Sequence, residues 1–502
     1  MTTRRDLIAG AGLAALAAQL SGRALAQAQT LASGKDSVVI AMTLEPPTLD
    51  PTSGAAQAIR EVTLQNIYEG LVRMDRTGRI VPGLAESWEV AADNLVHSFR
   101  LRSGVRFHDG APFSAETVRF SFERAVAPDS TNAQRQIFAP IASIATPDPL
   151  TVVITLKQPT ANFLYGLAWG DAVIVSPATA AANRTNPVGT GPFRFVRWNR
   201  GDRLELARFD DYWGPKPALA RATFRFISDP QAQVASLLAG DVDAQTNLAA
   251  PEAVPQLRAS PRLSVSFGKT EGEVILATNN GRPPFDDLRV RQAIAHVLDR
   301  KTIALGVYGF NVDLIGSHFS PLHPAYVDLT NTYPVDLARA KALLAQAGHP
   351  NGFSCTLKLP PPAYARRSGE IIAALLGQIG INARIEQLEF PQWLERVFRG
   401  RDFDLSVIAH TEPLDIGNYA RDDYYFQYRN PEFRALIAKI ETTLPEAERN
   451  ALYREAQRVL ARDAVNGYLF VLPKITVTAA GLSGMWTDWP LPITPLAEVA
   501  WR

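Results

Sequence analysis

At 502 residues the chain is longer than one hydrophobic core normally organises, which predicts at least two lobes. A content of 46% hydrophobic and 20% charged residues fits an ordered globular protein, and a formal charge of +1 leaves no excess to attract nucleic acid or a membrane surface. The single Cys355 rules out an internal disulfide.

The first segment concerns destination. Thr3-Arg4-Arg5-Asp6-Leu7-Ile8 sets an arginine pair before an Ala/Leu/Gly-rich stretch that ends in Ala24-Leu25-Ala26. A charged start, an apolar stretch and a small-x-small site are the parts of an export signal over residues 1–26. The paired arginines resemble the twin-arginine type; an ordinary secretory signal is the other reading. Residues 7–20 are too few to span a bilayer. Cleavage near Ala26 would leave a soluble periplasmic chain whose charge, after loss of three arginines and one aspartate, is −1.

Further on, Val38-Val39-Ile40-Ala41-Met42 reads as a buried strand that runs into Leu44-Glu45-Pro46-Pro47. Between about 80 and 185 short strands, at 96–101 and 151–156, are separated by turns and one helix over 115–125, capped by Ser114. That texture predicts an α+β subdomain. The most regular pattern lies between 335 and 412. Asp336 can cap a helix with an apolar face of Leu337, Ala340, Leu343, Leu344 and Ala347, and Gly348 can end it. A strand over 354–359, with Cys355 buried in it, precedes a helix over 368–378 and a stop at Gly380. The strand 381–388, a short helix over 392–399 and an apolar strand over 403–408 follow. Strands alternating with helices predict right-handed crossovers and a largely parallel sheet. Ligands of such sheets sit beyond the carboxyl ends of the strands, here Ala409-His410-Thr411-Glu412-Pro413-Leu414-Asp415.

A family likeness runs through nearly the whole chain after residue 26. Its motifs are Pro47-Thr48-Leu49-Asp50-Pro51, Ile67-Tyr68-Glu69-Gly70-Leu71, Pro82-Gly83-Leu84-Ala85-Glu86-Ser87-Trp88 and Phe107-His108-Asp109-Gly110. Then come Gly189-Thr190-Gly191-Pro192-Phe193, Asp211-Tyr212-Trp213-Gly214, Pro284-Phe285-Asp286-Asp287-Leu288-Arg289-Val290-Arg291 and Ala340-Lys341-Ala342-Leu343-Leu344. In this order they resemble the extracytoplasmic solute-binding proteins of ABC importers, family 5, which includes dipeptide-, oligopeptide-, opine- and nickel-binding members. The resemblance implies an α/β, two-lobe periplasmic-binding-protein fold with a hinged cleft between the lobes. Lobe I would comprise 36–79, 186–270 and 474–502, with 80–185 inserted into it, and lobe II 271–473. Most motif residues, His108, Trp88 and Trp213 among them, are expected to be scaffold.

Peptide-binding relatives hold the ligand's ammonium with an aspartate just after the strand matching 403–408. The matching residue here is Glu412, with Asp415 three residues on and His410 beside it. A buried ammonium needs such a carboxylate. Relatives that bind dipeptides place an arginine after the strand matching 354–359; here only Arg366 or Arg367 is available, near Tyr364. Glu45, Gly191 and Tyr419 complete the candidate set. His318 and His323 flank a proline-containing loop and read as loop residues, so no metal ligand is expected, and the lack of a histidine cluster in the expected cleft disfavours a nickel-chelate receptor. No Gly-x-Ser-x-Gly, His-Glu-x-x-His or Gly-Lys-Ser/Thr loop supports an enzyme, and no cofactor is implied. The expected protein is a monomeric receptor that delivers a small polar solute, first of all a peptide or modified peptide, to an ABC permease and ATPase. Opines or amino-acid conjugates come next; a periplasmic hydrolase or a sensor-linked binding protein is the rival of a different class.

Overall fold

The computed structural model describes residues 34–502 except 311 and 413, so the export segment 1–26 lies outside the described residues. Among the described residues no helix is long and apolar enough to cross a membrane.

Among the described residues three sheets of four or more strands organise the chain, beside two of two strands. A seven-stranded sheet has the order Leu263–Gly268, Lys474–Ala479, Ala244–Gln245, Ser37–Met42, Arg221–Phe226, Arg203–Arg208 and Phe193–Asn199. Its central strand, Ser37–Met42, pairs in parallel with both neighbours. A four-stranded antiparallel sheet is built from Ala85–Val90, Val96–Leu101, Thr151–Leu156 and Ile141–Asp148. The helix Ala115–Val126 accompanies it, its start closed by reciprocal bonds between Ser114 and Thr117. The hydrophobic residues of these two sheets merge into one core.

The third sheet has five strands in the order Ile381–Gln387, Phe353–Leu359, Leu405–His410, Glu273–Thr278 and Gly467–Val471. The first three pair in parallel, as their crossover helices require. Glu273–Thr278 runs against both its neighbours. The alternation of this strand separates two cores: Val274 and Leu276 pack with Leu357 and Leu405, whereas Ile275 and Ala277 pack with Phe403 and Ile408. Its inverted direction has a consequence for the site. Glu273 pairs with His410, so the first residue of an antiparallel strand arrives at the carboxyl ends of the parallel ones.

Local details differ from expectation in physical ways. The helix expected from 368 begins at Ala363, with Pro362 as its N-cap, a position whose missing N–H forfeits no intrahelical bond. The strand expected over 403–408 is Leu405–His410, since Asp404 turns its carboxylate to the Thr356 amide and hydroxyl at 2.8 Å each. Asp336 caps its helix as expected, accepting from the Arg339 amide at 2.8 Å.

The family motifs interlock. Glu69 accepts from Thr190 Oγ1, Tyr212 OH and Trp213 Nε1 at 2.8–2.9 Å, which ties three motifs to one carboxylate. His108 reaches the Gly191 carbonyl with Nε2 at 2.9 Å and takes the Gly189 amide on Nδ1.

The chain passes between the first and third sheets twice, at 269–272 and 472–473. The two passages are tied together: Thr270 Oγ1 donates to the Leu472 carbonyl at 2.6 Å, and the Leu472 amide donates to the Gly272 carbonyl at 2.8 Å. Gly268 ends the strand before the first passage, and a Cβ there would lie 1.7 Å from the Thr487 carbonyl oxygen. Gly268→Ala is therefore expected to cost about 1–3 kcal/mol by overpacking. Gly377→Ala, at a helix position with open space, should be neutral or slightly stabilising. Calorimetric melting of the two variants checks this; equal melting temperatures would contradict the close approach.

Candidate functional site

A cavity of about 200 Å³ lies between the seven-stranded and five-stranded sheets. From one side it is lined by the strand end Met42–Leu44, by Gln57, Ala58 and Glu61, and by the loop 245–249; from the other by Tyr364, Arg367, Trp393, His410, Glu412, Asp415 and Tyr424. A second space of about 610 Å³ continues between the four-stranded subdomain and residues 414–453. Gln134, Glu412, Asp415 and Asn418 border both.

Ionic bridges cross this cleft. Arg60, in the short helix Gln57–Thr63, is 1% exposed at its side chain and reaches Glu412 on the far wall. Its other terminal nitrogen lies 3.6 Å from Asp171, and its guanidinium sits over Trp169 with 5.5 Å to the ring centroid. Burial pushes the Asp171 carboxyl up to about 7 even though Arg60 opposes it. On the other flank Arg367 forks onto Glu252, both contacts at 3.1 Å. Ala161 and Asn162 add bonds of 2.8 Å to the Glu441 carbonyl and the Tyr453 hydroxyl. The walls are therefore in contact on several sides of the cavity.

The floor beyond Leu405–His410 is polar and buried. His410 Nδ1 lies 2.9 Å from Asp415 Oδ2, and its Nε2 2.8 Å from Tyr425 OH. Burial works against a charged His410, but Asp415 and Glu412 outweigh it and raise its pKa. Burial likewise opposes a charged Asp415, yet His318 and His410 hold that carboxyl below the ordinary range. His318 Nε2 stands 2.7 Å from Asp415 Oδ1 and 3.5 Å from Glu273 Oε1. Two groups of residues come close enough to hold a metal ion, Glu273–His318–Asp415 and His410–Glu412–Asp415. On the opposite wall burial lifts Glu61 to about 6, with Thr246 Oγ1 donating to it at 2.5 Å.

Four of the expected residues, His410, Glu412, Asp415 and Tyr364, line the cavity. Tyr364 also accepts the Ala409 amide at 3.0 Å, fixing the end of the strand. The other four do not line either space. Glu45 turns back to accept Trp198 Nε1 and the Gly201 amide at 2.8 and 3.0 Å. Gly191 is packed so closely that a Cβ would sit 2.4 Å from the Asn66 carbonyl oxygen. Tyr419 is buried behind the floor and accepts from Asn466 Nδ2 at 3.1 Å. Arg366 borders neither space; the next residue along the helix, Arg367, lines the cavity instead. Of the described histidines only His410 lines the cavity; behind the floor His318 reaches the same Asp415 from a separate segment. His323, by contrast, stacks on Phe319 with 3.9 Å between centroids. Arg60, Asp171, Glu61 and Glu273 belong to the site region without standing in any of the motifs or at a strand's carboxyl end. The adjacent charges Arg60-Glu61, flanked by Ala58, Ile59 and Val62, are the available signal for two of them.

The described geometry can be set beside known proteins. The family description "Bacterial extracellular solute-binding proteins, family 5 Middle" matches residues 79–430, well over half of the chain. The chain belongs to the family 5 bacterial extracellular solute-binding proteins. Among its relatives is a glutathione-binding protein, GsiB, of Pectobacterium atrosepticum, 28% identical over 469 residues, covering 87% of this chain and 89% of that one. The fold is that of two-lobe periplasmic binding proteins. The Helicobacter pylori ABC transporter-associated protein DppA, in complex with the peptide STSA, superposes with a TM-score of 0.85 at 27% identity, over 93% of this chain and 98% of that one. AgaA of A. tumefaciens R10, in complex with agropinic acid, gives 0.86 at 27% identity, over 93% and 99%.

Proposed function

We propose that this family 5 protein captures a short peptide or modified peptide in the cleft and delivers it to an ABC permease and its ATPase, performing no chemistry itself. The single observation that carries the reading is Glu412: a carboxylate at the carboxyl edge of the five-stranded sheet, bordering both cavity spaces and reached from the opposite wall by Arg60. A solute ammonium at that place would take up the role of the guanidinium, and a carboxylate of the same solute would find Arg367 on the same wall. Residues 36–79, 186–270 and 474–502 act as one lobe with 80–185 inserted, and 271–473 as the other. The passages at 269–272 and 472–473 serve as the hinge, so that solute shifts an opening equilibrium. The protein works as a soluble periplasmic monomer after cleavage near Ala26. A glutathione-binding relative and a peptide complex support the peptide class. The agropinic acid complex supports an opine as the second reading.

A thermal-shift panel of di- to tetrapeptides, glutathione and opines separates the two. Solute at a hundred times its Kd should stabilise the protein by about 2.7 kcal/mol. Shifts with opines and none with any peptide would transfer the assignment to opines. With the best solute in hand, Glu412→Gln is expected to weaken binding by on the order of 2–5 kcal/mol, more than tenfold by calorimetry. An unchanged affinity would remove the ammonium contact and with it the main physical support for a peptide.

A further inference from the structure

Behind the cavity floor three side chains from distant segments meet. Glu273 begins the inverted strand, His318 comes from the loop after residue 314, and Asp415 opens the short helical turn Asp415–Ala420. All three are buried: Glu273 and His318 are each 2% exposed and Asp415 8%. Each keeps a polar atom without a hydrogen-bond partner, namely Glu273 Oε2, His318 Nε2 and Asp415 Oδ1. His318 Nε2 and Asp415 Oδ1 stand 2.7 Å apart, within ion-pair range, whereas Glu273 Oε2 has no partner among the described residues. An unpartnered buried carboxylate oxygen is costly, and one that faces a buried imidazole–carboxylate pair leaves three ligating groups around one point.

We propose that Glu273, His318 and Asp415 form a binding site for one first-row divalent cation of the zinc class. One imidazole and two carboxylates are a donor set that suits Zn²⁺, and two carboxylate charges cancel that of the ion. Ligand atoms of a tetrahedral zinc lie about 3.3 Å apart, given bonds of about 2.0–2.1 Å. The observed contacts of 2.7 and 3.5 Å, within a cluster spanning no more than 4.8 Å, bracket that value. The remaining Asp415 oxygen is held by His410, itself held by Tyr425, which is the outer support that orients a ligating carboxylate. The neighbouring group His410–Glu412–Asp415 is a poorer choice, because His410 and Glu412 already spend their polar atoms on Tyr425, Asp415 and Arg60. Asp415 borders both cavity spaces, so the ion has a way in from the cleft, and three protein ligands leave one position for water or for a donor of the solute.

The test titrates the chelator-treated full chain with ZnCl₂ in a calorimeter. One equivalent should bind, at least a hundredfold more tightly than to His318→Ala or Glu273→Gln, and His349→Ala should bind as wild type does. His410→Gln should weaken the site about 10–100-fold. X-ray absorption of the zinc-loaded wild type guards against variants that misfold; it should report one imidazole among oxygen ligands and no sulfur. The proposal is overturned by absence of binding, by several weak equivalents that persist in His318→Ala, or by a spectrum with two or more imidazoles.

Discussion

Replacing Arg60 by leucine is expected to destabilise the protein by about 3–5 kcal/mol and to open the cleft, because it strands a buried carboxylate. Arg60 is 1% exposed at its side chain and Glu412 16%, so neither can turn to bulk water without moving the walls apart. The Arg367–Glu252 pair on the other flank is 36% and 46% exposed, and a surface pair of that kind contributes about 0–1 kcal/mol. The Arg60 bridge therefore dominates the ionic part of closure. Arg60→Leu should lower the melting temperature and enlarge the radius of gyration in X-ray scattering. Arg60→Leu/Glu412→Gln should recover most of both, since it removes the stranded charge as well. Asp171 recovers by holding a proton, its carboxyl already being pushed up to about 7. A single variant that melts within 1 kcal/mol of wild type, with an unchanged scattering profile, would show that the bridge does not hold the walls together. The same variant sharpens the functional reading. If a solute ammonium uses Glu412, Arg60→Leu leaves that carboxylate free and binding persists, whereas Glu412→Gln loses it.

The parts of this molecule that were legible in its sequence are those governed by local pattern. The strands 96–101 and 151–156 and the Asp336-capped helix stand where alternation and capping chemistry put them. The scaffold role of the motifs was legible too, although not its reason, which is that Thr190, Tyr212 and Trp213 all converge on Glu69. Glu273 was not legible as a floor residue. A strand that enters from the other sheet and inserts antiparallel into a β–α–β run carries the same apolar stretch as a parallel one, and only the register with His410 reveals its direction. Arg60 escaped for a related reason: its partner is 352 residues away, and helix periodicity says which face is buried but not what waits there. His318 and His323 looked equivalent across a short loop. One faces Asp415 and packs on Tyr419, and the other stacks on Phe319 beside Tyr453; both tyrosines lie more than a hundred positions away, which the spacing of the two histidines does not encode.

The share of stability that rests on Glu69, Asp171 and Glu61 should fall as pH rises from about 4 to 7, the reverse of what carboxylates held in salt bridges do. Burial pushes Glu69 up from 4.5 to about 7, against the opposing pull of Trp213, Tyr212 and Thr190 and of the nearby Arg73. Asp171 is pushed to about 7 by burial and by the charges of Glu412 and Asp50, with Arg60 opposing. Glu61 reaches about 6, with Thr246 and Lys474 opposing. Across that window the native state keeps protons that the unfolded chain gives up, and a state that binds more protons loses ground as they become scarce. Below the unfolded values both states are protonated and the penalty vanishes; above about 7 it is complete. A displacement from 4.5 to about 7 corresponds to about 3 kcal/mol for Glu69 alone. Glu69→Gln isolates that share, since an amide oxygen can still accept from the surrounding donors while carrying no charge. Wild type and variant should melt alike near pH 4.5, and by pH 8 the variant should be the more stable by up to about 3 kcal/mol. A difference that stays constant from pH 4.5 to 8 in scanning calorimetry would mean that Glu69 is ionised throughout. In that event its three donors and Arg73, rather than a retained proton, would be what makes its burial tolerable.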